Sequence, residues 1–434
     1  MRLRNVVLVD GVRSPFARGG RGKLVATRLD DVGATILRTL MERNPKVKPT
    51  MIEDIGLGNV AQSGEFIGLG MVGRLAGLPM EVSAFNTNRQ CGSSMETLQR
   101  LASGIAVGAL DCAISLGIER MGRTLGGGGG GGNVQRNRVT QPRRLEINKQ
   151  QRDMAENHSK HFSVPFPDYI LDSPPLQSML QTAQNVAEVY NISRKELDEF
   201  SVRSHKKYGE AFQAGNYKDE IVPLEVEEPV YDDEGNWVPD SKGKMITFDI
   251  DEGFRPGTNF EALQNLKPVQ GYVSFGNKEL VITAGNSCPT NDGVSAALLM
   301  SEEKAMELGL EPLARIVGMG VAGVKPQLMG IGPIPSTHKA VNHAGITMDQ
   351  IDRVEFNEAF AAQVIPTLRE LGIPEDRVNV NGGSLAIGHP MGATGARLVT
   401  TVSKELRRSG KKYGLATQCI GAGMGISTIV EALY

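Results

Sequence analysis

The chain is 434 residues long, with 47 Lys and Arg against 49 Asp and Glu and a formal charge of −2. That length suits two or three folding units of ~100–200 residues, and the charge balance excludes a strong electrostatic pull toward nucleic acid or an anionic membrane as the main partner. Hydrophobic residues at 40% and charged residues at 22% exclude a disordered chain.

From Asn5, NVVLVDG reads as a strand. Its apolar run of four residues before Asp10 is too short for the core of a secretion signal. A helix follows over 31–43, then the strand IEDIGLGNV, then a helix over 94–107 after FNTNRQCGSS. DCAISLGIE (111–119) reads as a fully buried strand. Strands alternating with amphipathic helices predict an α/β architecture with substantially parallel pairing.

After Met121 the character changes. Seven glycines (126–132) lead into a basic, polar segment with Arg136, Arg138, Arg143, Arg144, Lys149 and Arg152. Up to about residue 278 the chain is rich in polar residues and proline, with helices over 178–190 and 194–214. Ser193 and Glu196 form a capping box at the start of the second. This middle third reads as an inserted lid or arm. Regular α/β character resumes with KELVITAGN (278–286), a helix over 292–299 and ARIVGMGVAG. A faint internal echo then shows: Cys91 precedes a helix, His389 precedes another, and a buried strand follows each. Two similar halves with a site between them fit that pattern.

Four cysteines, Cys91, Cys112, Cys288 and Cys419, include no CxxC pair and are too few for a disulfide framework. A reducing, cytoplasmic setting is expected, and no apolar run reaches the ~18 residues of a membrane span. Cys91 stands at a helix entrance, where free N–H groups and the helix dipole favour thiolate; the alternative is a small buried cysteine. Cys112 sits inside an apolar strand and reads as structural. His389, in GGSLAIGHPMGATGAR, lies in a glycine-lined turn where a neutral imidazole can take a thiol proton. The other five histidines read as surface or satisfied core residues. Cys419 closes a strand before Gly421, Gly423 and Gly425, which either present N–H groups to an oxyanion or simply form a strand-to-strand turn. Asn357 sits between a strand and a helix, as a polar site residue or an N-cap. The GAGMG run lacks the context of a dinucleotide fingerprint.

In chain order NRQCGSS (88–94), NEAFAAQ (357–363), GHPMGATGAR (388–397) and CIGAGMG (419–425) resemble the motifs of the thiolase family. The likeness extends through GVRSPF, SRKELDEFSVRSHKK, DEGFRPGTNFEAL, TAGNSCPTNDG and MGIGPIP. It implies an α/β fold of two similar βαβαβαββ-type halves in α/β/α/β/α layers. Residues 1–120 with 279–310 would form the first half, 121–278 an inserted loop domain, and 311–434 the second half. The implied reaction is thiolytic cleavage of 3-ketoacyl-CoA by CoA, a reversible Claisen condensation run through a Cys91 acyl-enzyme.

By the same resemblance His389 takes the Cys91 proton and, with a water held by Asn357, steadies the enolate of acetyl-CoA. Cys419 exchanges the α-proton, and the N–H groups of Cys91 and Gly421 form a second oxyanion hole. Ser287, Cys288, Met329 and Phe360 are expected near the pantetheine arm. CoA and acyl-CoA are the implied partners, with no metal and no permanently bound cofactor, in a homodimer or homotetramer. Three positions depart from the family pattern: Ser94 for a frequent glycine, Ser178 for a frequent histidine and Cys288 for a frequent serine. An acetoacetyl-CoA-specific thiolase is the main alternative. A decarboxylating ketosynthase lacks a counterpart of Cys419, and a non-catalytic lipid-binding relative would need none of the four site residues.

Overall fold

The computed structural model describes residues 3–61, 70–122, 178–235, 237–238, 241–274, 276 and 278–433. The seven-glycine run and the basic segment after it lie outside the described residues, as do His158 and His161. Twelve strands are described: β1 (Val6–Arg13), β2 (Ala17–Arg18), β3 (Asp54–Gly58), β4 (Ser83–Thr87), β5 (Cys112–Arg120), β6 (Leu224–Glu227), β7 (Met245–Phe248), β8 (Asn291–Ser301), β9 (Ala314–Gly323), β10 (Arg353–Phe356), β11 (Tyr413–Ile420) and β12 (Met424–Ala432). The longer helices are α1 (Leu29–Arg43), α2 (Ser93–Ala106), α3 (Met179–Val189), α4 (Arg194–Gln213), α5 (Pro333–Ala344), α6 (Ala361–Leu371) and α7 (Met391–Ser409).

One sheet runs β10-β11-β12-β9-β1-β8-β5-β3-β4, with β2 beside β8. Outward from the β1–β9 seam, β1, β8, β5 and β3 follow the same order as β9, β12, β11 and β10. The echo heard in the sequence is therefore a repeat of topology, with β4 as an extra edge strand. The seam is short, pairing Val7 with Arg315 and Leu8 with Ala314. Parallel pairing is confined to β3 with β4 and β5, and to β10 with β11. Elsewhere the ladders are antiparallel.

Side chains alternate across the sheet as a period of two requires. Val7 and Val9 join the core under α1, whereas Val6 and Leu8 face the core shared by α2 and α7. Helices α5 and α6 cover the outer face of the second half. The order from outside inward and out again is helix, half-sheet, inner helix pair, half-sheet, helix.

Small residues bring the inner helices together. A Cβ on Gly395 of α7 would lie 2.3 Å from the Met95 nitrogen of α2, and one on Gly117 of β5 would lie 2.4 Å from the Gly392 oxygen. Ser94 Oγ accepts from Ala396 N at 3.0 Å across the crossing, so this departure from the family's glycine joins the two helices. Ser178 caps α3, its side chain accepting from Gln181 N, and the capping box of Ser193 and Glu196 opens α4.

Two expectations are overturned: the strands pair mostly antiparallel and not substantially in parallel, and one helix is a strand. Residues 292–299 are not helical; they lie within strand β8, buried along its whole length. It pairs with β1 on one side and β5 on the other. Both faces are covered, so its apolar run carries no alternation, and periodicity cannot separate such a strand from a buried helix.

The middle segment is held by buried charge. Arg13 on β1 pairs with Glu220 and with Asp251, the latter at 2.6 Å. Tyr208 of α4 donates its hydroxyl to Asp251 at 3.0 Å. Among the described residues no helix is long and apolar enough to cross a membrane.

Candidate active site

Cys91 lies in the turn between β4 and α2, where Gln90 takes a left-handed φ of +48°. A non-glycine residue there carries strain of about 1–3 kcal/mol, and the surrounding bonds over-determine it. Ser93 Oγ accepts from Arg89 N and donates to the Gln90 carbonyl at 2.6 Å. Gln418 on β11 donates Nε2 to the Cys91 carbonyl at 2.7 Å. The nucleophile's backbone is thus fastened to the strand that carries Cys419.

The Cys91 thiol is 8% exposed. Burial pushes its pKa up to about 11 and Glu119 adds to the rise, outweighing the N–H groups of Gly421 and of Cys91 itself, which draw it down. The helix entrance therefore does not yield a standing thiolate, contrary to the sequence expectation. Desolvation is the larger effect, and the thiol stays protonated until a base removes the proton.

The base expected from the sequence is His389. Gly388 before it has φ +108° and abuts the Asn291 side chain, while Asn291 Oδ1 accepts from His389 N at 3.1 Å. His389 Nδ1 lies 2.6 Å from Thr394 Oγ1, and that hydroxyl donates its hydrogen to the Pro390 carbonyl at 2.9 Å. Thr394 must then accept from Nδ1–H, which leaves the lone pair on Nε2. Burial, with Arg397 nearby, lowers the imidazole pKa to about 3. The ring is neutral, with its lone pair on Nε2.

Asn357 follows β10, its nitrogen bonded to the Thr417 carbonyl. Its Oδ1 accepts from Ser384 Oγ at 2.7 Å, so Nδ2 is the end facing His389 Nε2, at 3.3 Å. Arg397 donates to Ser384 at 3.0 Å and pairs with Glu355 at 2.6 Å. The N-cap reading fails: Phe360 is the N-cap of α6 and makes no side-chain cap bond.

Cys419 closes β11 fully buried, and its Sγ–H points at Gln363 Oε1, 3.0 Å away. Burial raises its pKa, and the nearby Cys91 and Cys288 thiols raise it further. The three glycines after it divide their roles. Gly421 turns its N–H to the Cys91 sulfur. Gly423, at φ +83°, makes the hairpin turn against the Val324 carbonyl, and Gly425 lets β12 pass close to Gly332. The stretch forms the strand-to-strand turn that the sequence offered, and one of its N–H groups faces a sulfur.

Ser287, Cys288, Met329 and Phe360 all meet the segment from Asn357 to Gln363. Ser287 pairs with Phe360, Cys288 N bonds to the Ala359 carbonyl at 3.0 Å, and Met329 Sδ is 3.8 Å from Gln363 Nε2. Cys112 lies away in β5, buried among apolar neighbours as expected. Of the described histidines, His205 is buried with its pKa lowered to about 4 by burial and Arg255. Sequence reasoning missed Thr394, Gln418, Gln363, Ser384 and Glu119. Glu119 accepts from the N–H groups of Ala61 and Gly392, and burial raises its pKa to about 7. The first four were marked only by lying in or beside the four motifs.

The arrangement is two protonated thiols near each other, with N–H groups directed at one sulfur, and a neutral imidazole bonded to Asn357 and Thr394. That set suits acyl transfer through a thioester with proton exchange at carbon. Known proteins agree. Residues 6–303 match the family model "Thiolase, N-terminal domain" and residues 310–432 match "Thiolase, C-terminal domain". The 3-ketoacyl-CoA thiolase of Vibrio vulnificus (strain CMCP6) is 37% identical over 434 residues, covering 99% of this chain and 100% of that protein. That of Vibrio parahaemolyticus is 38% identical, covering 99% and 98%. Among solved structures, human mitochondrial 3-ketoacyl-CoA thiolase aligns with a TM-score of 0.80 at 31% identity, and Bacillus anthracis acetyl-CoA acetyltransferase with 0.80 at 32%. Each covers 100% of both chains.

Proposed function

The chain belongs to the thiolase family and is an acyltransferase; on that premise we propose that it cleaves 3-ketoacyl-CoA with CoA through a Cys91 acyl-enzyme. The observation that carries this reading is the pairing of a Cys91 thiol held under the Gly421 N–H with an imidazole fixed as a neutral base by Thr394. His389 Nε2 takes the Cys91 proton as sulfur attacks the 3-keto carbon. The proton stays on Nε2, and burial makes the resulting imidazolium a strong hydrogen-bond donor toward the thioester oxygen. The N–H groups of Cys91 and Gly421 receive the oxyanion of the tetrahedral adduct. One such donor is worth about 2.7–4 kcal/mol in comparable sites.

As the carbon–carbon bond breaks, the acetyl-CoA enolate oxygen is held by His389 and a water on Asn357. Cys419 gives its proton to the enolate carbon. The Cys419 thiolate takes the proton of incoming CoA, the CoA sulfur attacks the acyl carbon, and the departing Cys91 thiolate regains its proton from His389, which gives ping-pong kinetics. CoA is a substrate and no permanent cofactor is required. Ser287, Cys288, Met329 and Phe360 border its pantetheine arm. The working assembly is a homodimer or homotetramer in the cytoplasm, with acyl-CoA and CoA as partners and not nucleic acid. The repeated strand order supports the division into 1–120 with 279–310, the inserted 121–278, and 311–434.

The test is thiolysis of 3-ketoacyl-CoA of four to sixteen carbons by wild type, Cys91→Ala and Cys419→Ala. Turnover of longer chains, lost in both variants, is the expected result. The equal structural match to an acetyl-CoA acetyltransferase favours one second reading, and turnover of acetoacetyl-CoA alone would establish it. No turnover on any chain length would overturn both.

A further inference from the structure

We propose that Gln363 is a positioning residue that holds the Cys419 thiol and follows its change of protonation by turning over its own amide. The inference rests on the thiolase reading of the site and adds to it a group outside the four reacting side chains.

Cys419 has to exist in two forms during one cycle. In the condensing direction its thiolate removes an α-proton from acetyl-CoA: the C–H bond breaks, its electron pair stays on the enolate, and an S–H bond forms. Cleavage runs the same step backward and leaves a thiolate. The site offers that thiolate little help. Its sulfur is fully buried, its neighbours Cys91 and Cys288 oppose a negative charge, and the hydrogen-bonding groups at it are its own backbone N–H and Gln363.

The geometry of Gln363 serves both forms. Its stem is fixed, because Gly330 packs so closely that a Cβ there would lie 2.4 Å from Gln363 Cγ. Its tip lies between two sulfurs. Oε1 accepts from the Cys419 thiol at 3.0 Å, while among the described residues Nε2 faces the weak acceptor Met329 Sδ at 3.8 Å. A carbonyl oxygen stabilises S–H and repels a thiolate. A half-turn of the amide about its last torsion, which is broad and soft, places Nε2–H against the sulfur and gives the anion a charge-assisted bond. The group surrendered in the turn is a contact to a thioether, so the two orientations are close in energy. A carboxylate or an apolar side chain of the same length cannot supply both.

The experiment separates proton exchange at Cys419 from acylation at Cys91. Wild type, Gln363→Met, Gln363→Glu and Cys419→Ala are given acetyl-CoA with labelled CoA, and label entry into acetyl-CoA reports acylation of Cys91. The same proteins in deuterium oxide with acetyl-CoA report Cys419 through deuterium entry into the methyl group. Gln363→Met should keep CoA exchange within about threefold of wild type, and lose deuterium entry by about 100-fold, the lower end of the range for acid–base assistance. Gln363→Glu should lose deuterium entry at least as far, because a carboxylate repels the thiolate. Equal loss of both labels in Gln363→Met, or loss of neither, overturns the positioning role. A wild type that incorporates neither label overturns the thiolase reading itself, and the proposal with it.

Discussion

At the scale of single residues, burial decides the ionisation of the site. Cys91 and Cys419 are kept as thiols and His389 as neutral imidazole, each by desolvation before any neighbouring charge acts. The site therefore rests without formal charge on its reacting groups and moves protons only when substrate arrives. A stability signature follows. Above pH ~6.5 His389 is neutral both folded and unfolded and contributes no pH dependence. As pH falls below that, the unfolded chain takes a proton that the folded chain refuses down to about pH 3. Stability should drop by about 1.4 kcal/mol per pH unit within that window. Glu119 and Glu355, with pKa values raised by burial to about 7 and about 8, act in the opposite direction. Only a comparison isolates His389. Urea unfolding at pH 6.5 and pH 5 should show wild type losing about 2 kcal/mol more than His389→Asn; equal losses would refute the assignment.

At the scale of elements, the crossing of α2 and α7 sets the distance between nucleophile and base. Cys91 and His389 each sit at the entrance of one of these helices, and Ser94, Met95, Gly395 and Ala396 form the contact between them. Gly395→Ala would drive a methyl to within 2.3 Å of backbone nitrogen, where no rotamer relieves the clash. We expect a loss of about 1–3 kcal/mol or more in thermal or urea unfolding and near-complete loss of thiolysis. Gly410→Ala, whose Cβ meets open space at the far end of α7, should leave turnover intact despite a strained φ. Comparable turnover in both variants would show that the crossing is not what holds the site. The candidate site residues stand out in the sequence because Cys91, His389 and Cys419 lie at element boundaries among glycines. Gln363, Thr394 and Gln418 do not. A polar residue inside a helix or strand is read as solvated, and what makes these three functional is a side chain brought to them from another segment. Strand β8 hid for a related reason, since burial on both faces erased its period.

At the scale of the whole molecule, two repeats share one sheet, and the segment inserted within the first is tied to both. Glu220 is the tie: it accepts from Arg13 on the first half and from Thr401 Oγ1, at 2.8 Å, on α7 of the second. Burial alone would push its carboxyl up, but Arg13 and Thr401 hold its pKa below the ordinary value. Asp251 depends on the same guanidinium. Removing Arg13 leaves buried carboxylates without their cation, a change that costs about 3–5 kcal/mol in comparable pairs. Arg13→Met should therefore lower the urea midpoint sharply at pH 8. The sign of its pH dependence is fixed as well. In wild type the lowered Glu220 pKa makes stability fall with acid. In Arg13→Met burial wins, the folded state takes up a proton more readily than the unfolded chain, and the deficit should narrow from pH 8 to pH 5. A deficit that stays constant or widens over that range would mean that Arg13 acts by packing over the rings of Phe16 and Tyr217, which its guanidinium carbon approaches to 4.8 and 5.5 Å, and not by neutralising the acids that fasten the middle segment to the sheet.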